Sequence, residues 1–159
     1  MKQIYFVLII ILTFFVSSCD KKIPDNEQDD FQEKLLQLVN DVRTRGCDCG
    51  GEYQAPVDKI VWNDTLAQVA EKHSKEMSDN NYFSHTGLNG SSPGDRMKDA
   101  DYYWSTYGEN IANGYTDEEA VIEGWLKSPG HCKNIMNGNF KEMGVGKSGE
   151  YWTQVFGTK

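Results

Sequence analysis

Positive charge is scarce in this sequence. It holds 16 Lys and Arg against 24 Asp and Glu, a formal charge of −8 at pH 7. Proteins that grip nucleic acid neutralise phosphates with Lys and Arg, so this balance argues against that class of partner. No apolar run is long enough to cross a bilayer. The run Ile4–Val16 falls short of the ~20 residues a spanning helix needs. With Lys2 ahead of it, it has the length and flank of a secretory signal. There is no Gly-x-Ser-x-Gly elbow and no His-Glu-x-x-His pair, so a nucleophilic hydrolase is poorly supported and no compact zinc motif is present. Histidines number three: His73, His85 and His131.

The apolar run closes on Val16-Ser17-Ser18-Cys19, small residues followed by cysteine. This pattern resembles a bacterial lipobox, in which the cysteine receives lipid and the chain is cut just before it. Residues 1–18 are then a signal peptide, Cys19 is the lipidation site, and 19–29 is a lipidated N-terminus and flexible tether rich in charge. The folded domain is 30–159. The membrane contact is the lipid, not a basic patch. The location is extracytoplasmic, in a bacterial periplasm or on the cell surface, and a monomer is expected.

Export places the remaining cysteines, Cys47, Cys49 and Cys132, in an oxidising compartment. Three is odd, so one thiol is left over. A bridge from Cys47 or Cys49 to Cys132 constrains the unfolded chain far more than a Cys47–Cys49 bridge, by ~3–5 kcal/mol in the loop-entropy model. Either first partner satisfies the pattern.

Phe31, Leu35, Leu38, Val39 and Val42 recur at helical spacing, with Asp29 or Asp30 as cap and Gly46 as the stop. A second helix, capped by Asn63 or Asp64, has Leu66, Val69, Ala70, His73 and Met77 on its inner face. His73 on that stripe reads as a buried imidazole held by a backbone hydrogen bond. Ser92-Pro93 and Ser128-Pro129 open short helices, and Thr116 to Glu119 has the capping-box pattern. His131 falls in the first turn of its helix, where free N–H groups favour the neutral, metal-binding imidazole. "EMGVG" and "YWTQVF" read as a hairpin about Lys147–Glu150. The second of these runs has large groups on both faces, so helices should cover both sides of a small sheet.

Three segments are unlike ordinary core or surface: "NYFSHTG" with His85, "YGENIANGY" with Glu109 and Asn110, and "SPGHC" with His131. Two imidazoles and a carboxylate form a zinc-type ligand set with water in the fourth position, or a general acid–base set. The alternative for each residue is a capping or hydrogen-bonding role. A Cys47/Cys49/His131/Cys132 zinc site has odd spacing for structural zinc. Aromatic residues crowd the same region, including Tyr82, Phe83, Tyr103, Trp104 and Tyr107; they either pack helical layers or line a groove for an apolar or sugar-like ligand.

Eight pieces in this order resemble the CAP superfamily (cysteine-rich secretory, antigen 5 and pathogenesis-related 1 proteins, also called SCP-like). They are "LVNDVR", "WNDTLAQVAEKHSKEM", "YFSHTG", "SPGDRM", "GENIANGY", "AVIEGWLKSPGHCKNIM", "FKEMGVG" and "YWTQVFG". Together they span Phe31 to Gly157, and Ser-Pro-Gly-His resembles the bacterial branch. The resemblance implies an α+β fold, a three-layer α-β-α sandwich with a small central sheet. It also implies a cleft lined by two histidines and two acidic residues, which in several relatives holds zinc or another divalent cation. His85 and Glu109 match the first histidine and one acid. Ser128 stands where many eukaryotic members have the other acid, and Tyr151 where they have the second histidine. His131 restores the set His85/Glu109/His131 by a different route, with Asn110, Ser128 and Tyr151 lining the cleft and Glu123 as an unplaced acid. The implied function is a binding module for a lipid, glycan or protein ligand. The alternative is a metal-dependent hydrolase of peptide or envelope material. A third reading makes the histidines and Glu109 a purely structural network.

Overall fold

A computed structural model describes residues 25–159. The signal segment, Cys19 and the first half of the expected tether lie outside the described residues. Helix α1 covers Asp25–Arg45, so it starts about one turn before the expected cap at Asp29 or Asp30, and the later half of the expected tether is helical. A two-stranded ribbon follows, β1 (Cys47–Asp48) and β2 (Tyr53–Gln54), then β3 (Val61–Trp62), α2 (Asp64–Asn80), α3 (Pro93–Asp99) and β4 (Thr106–Asn113). The chain closes with α4 (Glu118–Lys127), α5 (Pro129–Ile135), β5 (Glu142–Ser148) and β6 (Tyr151–Thr158).

The main sheet has the order β3-β5-β6-β4. Only the β3–β5 pair is parallel; β5–β6 is the expected hairpin and β4 runs antiparallel to β6 at the edge. Alternation along the strands sorts the side chains into two layers. On one face Val155 packs with Leu66, Val69 and Ala70 of α2, Met97 of α3, and Tyr102. On the other, Trp152 and Phe156 pack with Leu35 and Val39 of α1, Val121 and Trp125 of α4, and Ile135 of α5. This is the three-layer α-β-α sandwich expected from the two-faced final strand.

Two glycines set the spacing of the first layer. A Cβ on Gly144 would lie 2.1 Å from the Ala67 amide nitrogen, and one on Gly146 would lie 2.1 Å from that of Glu71. Helix α2 therefore rests directly on the β5 backbone. The second layer is fastened by polar groups. Asn40 of α1 pairs with both the N–H (2.8 Å) and the carbonyl (3.0 Å) of Ile60, acting as a substitute strand for the entry to β3. Arg43, fully buried, donates to the carbonyls of Asp58 (2.9 Å), Ile135 (2.7 Å), Asn137 (3.1 Å) and Phe140 (3.2 Å). Burial pulls its pKa down, and the nearby Asp58 opposes that pull.

The caps follow the residue types expected, with one shift. Asn63 caps α2 and Ser92 forms a full capping box with Asp95. At α4 the cap is Asp117, whose side chain accepts from Ala120 N, and not Thr116. The carboxylate of Glu119 is drawn instead to Lys34 of α1 at 2.8 Å, a surface pair that adds little stability. Cys132 is bonded to Cys49, with Cα atoms 5.5 Å apart, so the open choice of first partner resolves to Cys49 and leaves Cys47 as the free thiol.

Candidate functional site

The site is built on the edge strand. "YGENIANGY", read from sequence only as an unusual segment, is strand β4, paired with β6 along its whole length. Glu109 lies opposite Val155 and Asn110 opposite Gln154. These neighbours therefore point to opposite faces, Glu109 to the α2–α3 layer and Asn110 to the α5 layer.

Glu109 is the buried charge of the site, with 2 % of its side chain exposed. Both of its carboxylate oxygens are engaged. Oε1 meets His85 Nδ1 at 2.7 Å, and Oε2 accepts from Arg96 Nη2 at 2.6 Å. Arg96 also donates through Nη1 to the carbonyls of His85 (3.0 Å) and Ser91 (3.1 Å). One guanidinium thus neutralises the buried carboxylate and holds the loop that presents the imidazole. Arg96 sits in "SPGDRM", which contributed to the resemblance but gave no sign of a site role. The ring of His85 stands half exposed, and with Nδ1 turned to Glu109 its Nε2 is the atom available to solvent.

His73 behaves as its position on the apolar stripe implies. Its Nε2 lies 2.9 Å from the Ser84 carbonyl, so it anchors the residue next to His85. Burial, helped by the positive charge of Arg96, lowers its pKa and keeps the ring neutral. In that tautomer Nδ1 has no hydrogen-bond partner, although the Glu76 carboxylate is 3.5 Å away. Glu76 is held instead by the Tyr82 hydroxyl at 2.6 Å; burial and then that bond push the phenol up to about 12.

His131 approaches from the other layer, in the first turn of α5. Its carbonyl accepts from Asn110 Nδ2 at 3.2 Å, and the same amide reaches Gln154 at 3.0 Å. Asn134 completes the strut by donating to Asn110 Oδ1 (2.8 Å) and the Glu109 carbonyl (3.2 Å). Burial, and then the proximity of His85, depress the His131 pKa, so this imidazole too favours the neutral form.

The expected cleft lining needs correction. Asn110 is completely buried; it joins α5 to the sheet and lines nothing open. Tyr151 pairs with Asn113, four residues along the strands from the level of Glu109, or roughly 13 Å. Ser128 is the half-buried N-cap of α5, and its side chain makes no capping bond. Glu123 pairs with Lys127 on the exposed face of α4, away from the site. The aromatic residues divide between the two expected roles. Tyr102 and Trp152 are core, Trp104 and Tyr107 meet edge to face, and Phe83 and Tyr103 are exposed.

The ligand set is also rearranged. Among the described residues, the group of three His, Cys, Asp or Glu donors lying within 4.8 Å of one another is Cys47, Cys49 and Cys132, not His85, Glu109 and His131. Glu109 faces His85 Nδ1 and Arg96, which makes it an orienting partner behind an imidazole. A divalent cation here would take its protein donors from the two imidazole rings, His85 and His131.

A sizeable concavity lies elsewhere. About 560 Å³ opens between α1 and α2, lined by Phe31, Lys34, Trp62, Gln68, Glu71 and Lys147. Size alone favours that groove. The β4 edge is the better candidate because it concentrates a buried ion pair, two imidazoles and exposed apolar groups: Phe83 and Leu88, on the loop that carries His85, are 52 % and 60 % exposed.

The family model described as the cysteine-rich secretory protein family, CAP, matches residues 36–156. The chain is 38 % identical over 128 residues to the protein YkwD of Bacillus subtilis, covering 79 % of this chain and 46 % of that one. It is 36 % identical over 125 residues to the B. subtilis membrane protein YlbC, covering 79 % of this chain and 34 % of that one. The crystal structure of an extracellular protein from Bacillus anthracis containing an SCP domain superposes with a TM-score of 0.72 at 32 % identity, over 88 % of this chain and 45 % of that one. The chain therefore spans a third to a half of the length of these relatives.

Proposed function

The chain belongs to the cysteine-rich secretory protein (CAP) family, and from that premise we propose that it is an extracytoplasmic, lipid-anchored binding module. Its β4 edge, with His85 and His131 at the surface, receives a lipid, glycan or protein ligand, and a divalent cation such as zinc assists the contact. One observation carries this reading: both oxygens of Glu109 are already engaged, one at His85 and the other at Arg96. A hydrolytic carboxylate must take a proton from water or bind the reacting ion directly. Here one oxygen faces His85 and the other is closed by Arg96. The residues present a fixed, neutralised platform with apolar groups beside it, which is the composition of a binding surface. The extracytoplasmic placement is supported by the export pattern of residues 1–18 and by the B. anthracis relative, an extracellular protein. Among the described residues, no helix is long and apolar enough to cross a membrane.

Two measurements test the proposal. Zinc titrated calorimetrically into the oxidised protein is expected to bind at one site. His85→Ala and His131→Ala should each weaken it at least tenfold, and Glu109→Gln by about 10–100-fold through loss of ring orientation. Equal affinity in all four proteins would remove the edge as a cation site. For the anchor, the chain expressed in a bacterium fed labelled palmitate should incorporate the label and partition into detergent, and Cys19→Ser should do neither. Label retained in that variant would place the lipid elsewhere.

A further inference from the structure

We propose that Cys47, Cys49 and Cys132 form a redox-gated site for a thiophilic divalent cation, closed when Cys49 and Cys132 are bonded and open when they are reduced. This is independent of the imidazole edge. Cys47 Sγ lies 3.5 Å from Cys132 Sγ and 3.8 Å from Cys49 Sγ. Thiolates on a tetrahedral zinc, each ~2.3 Å from the metal, are about 3.8 Å apart. The surplus sulfur thus already stands at the spacing of a shared metal from both of its neighbours.

The alternative use of a third cysteine is exchange, in which it displaces one partner of the bond. Exchange requires a thiolate approaching from behind one sulfur, along the bond axis. Cys47 is almost equidistant from both sulfurs, so it lies beside the bond and not behind it. That position weighs against exchange.

Contacts other than the disulfide hold the three sulfurs together. The β1–β2 ribbon is closed by Cys49 N donating to the Glu52 carbonyl at 2.9 Å and Gly51 N donating to Asp48 Oδ1 at 2.7 Å. Lys133 of α5 reaches across to Glu52. Gly50 lies so close against Pro129, at the start of α5, that a Cβ there would meet the proline ring at 2.5 Å. The loop therefore stays seated on α5 after reduction. Cys49 and Cys132 are fully buried, and Cys47, partly exposed, is the entry side.

The chemistry balances as follows. A dithiol reductant exchanges into the Cys49–Cys132 bond and leaves as its own disulfide. Two electrons pass to the protein, and the two protons end on Cys49 and Cys132. The cation then displaces three thiol protons to solvent and binds three thiolates, with water in the fourth position.

Cobalt(II) is the probe, because sulfur-to-cobalt charge transfer gives an absorption that an imidazole site lacks. The full chain carrying Cys19→Ser has only these three cysteines. Reduced with a phosphine, it is expected to bind one cobalt with this absorption, and zinc should displace it. The oxidised chain should show no band. Adding Cys47→Ser, which leaves the disulfide partners intact, should weaken binding of the reduced form at least tenfold. Circular dichroism follows the fold throughout. An undiminished band with Cys47→Ser, no band in the reduced wild-type trio, or a loss of fold on reduction that cobalt does not reverse would each overturn the proposal.

Discussion

Arg43→Met is expected to lower the stability of the domain by ~3–5 kcal/mol, with the thermal midpoint falling on the order of 10 °C or more. The side chain is fully buried and is the common donor to four carbonyls, from Asp58, Ile135, Asn137 and Phe140. Methionine fills much of the same volume but donates nothing, so the buried carbonyls of Ile135 and Phe140 lose this donor, as do the part-buried ones of Asp58 and Asn137. Each such loss costs ~1–3 kcal/mol, and relief of a buried positive charge offsets part of the total. Arg43→Lys separates the two contributions. An ammonium keeps the charge but directs its donors from one point and cannot span all four oxygens, so it should recover less than half of the loss. Thermal denaturation of the three proteins decides the matter. A methionine variant as stable as wild type would show that these bonds merely replace equally good ones to water.

Gly144→Ala and Gly146→Ala are the second pair of large effects. Each added methyl would meet a backbone amide nitrogen of α2 at 2.1 Å, and neither backbone has a flexible end that can move aside. Helix α2 must lift by about 1 Å or more to restore an ordinary contact of roughly 3.5 Å. That would open the packing of Leu66, Val69 and Ala70 over the sheet. Overpacking typically costs ~1–3 kcal/mol, and the rigid contact on both sides places these substitutions at or above the top of that range. The double variant is expected not to fold at 37 °C. Gly130→Ala is the internal control. Nothing lies within 4 Å of a Cβ there, and it sits within a helix, so its effect should be neutral or stabilising by up to ~1 kcal/mol. Chemical denaturation of the single variants supplies the numbers. A Gly144→Ala protein as stable as the Gly130→Ala one would show that α2 does not rest on β5 as described.

Much of the fold was legible because its signals are local. The stripe on α2 is buried at every position named for it, including His73, and the two-faced pattern of "YWTQVF" correctly implied helices on both sides. Strand β4 was missed because its sequence carries glycine and two asparagines, poor strand formers; eight paired residues of β6 override that preference. The site was half legible. His85 and Glu109 meet at 2.7 Å, as the motif order implied, and His131 arrives from the opposite layer. Arg96 was not legible, because a lone arginine on a short exposed helix has the appearance of a solvated charge. Its role depends on a loop 11 residues before it and a strand 13 residues after it closing on the same point. Tyr151 was misplaced because alignment to a motif fixes a strand's sequence but not which end of the sheet carries the cleft. The choice between Cys47 and Cys49 depended on how a two-residue ribbon faces α5, and no residue near it encodes that orientation.

Glu109 and Asn110 are adjacent along one edge strand yet serve different halves of the molecule. A guest resting on His85 and His131 would therefore lean on both helical blocks at their seam, without entering either interior. It could come and go while the core stays shut, so the price of recognition would be the stillness of one border, not the opening of a cavity.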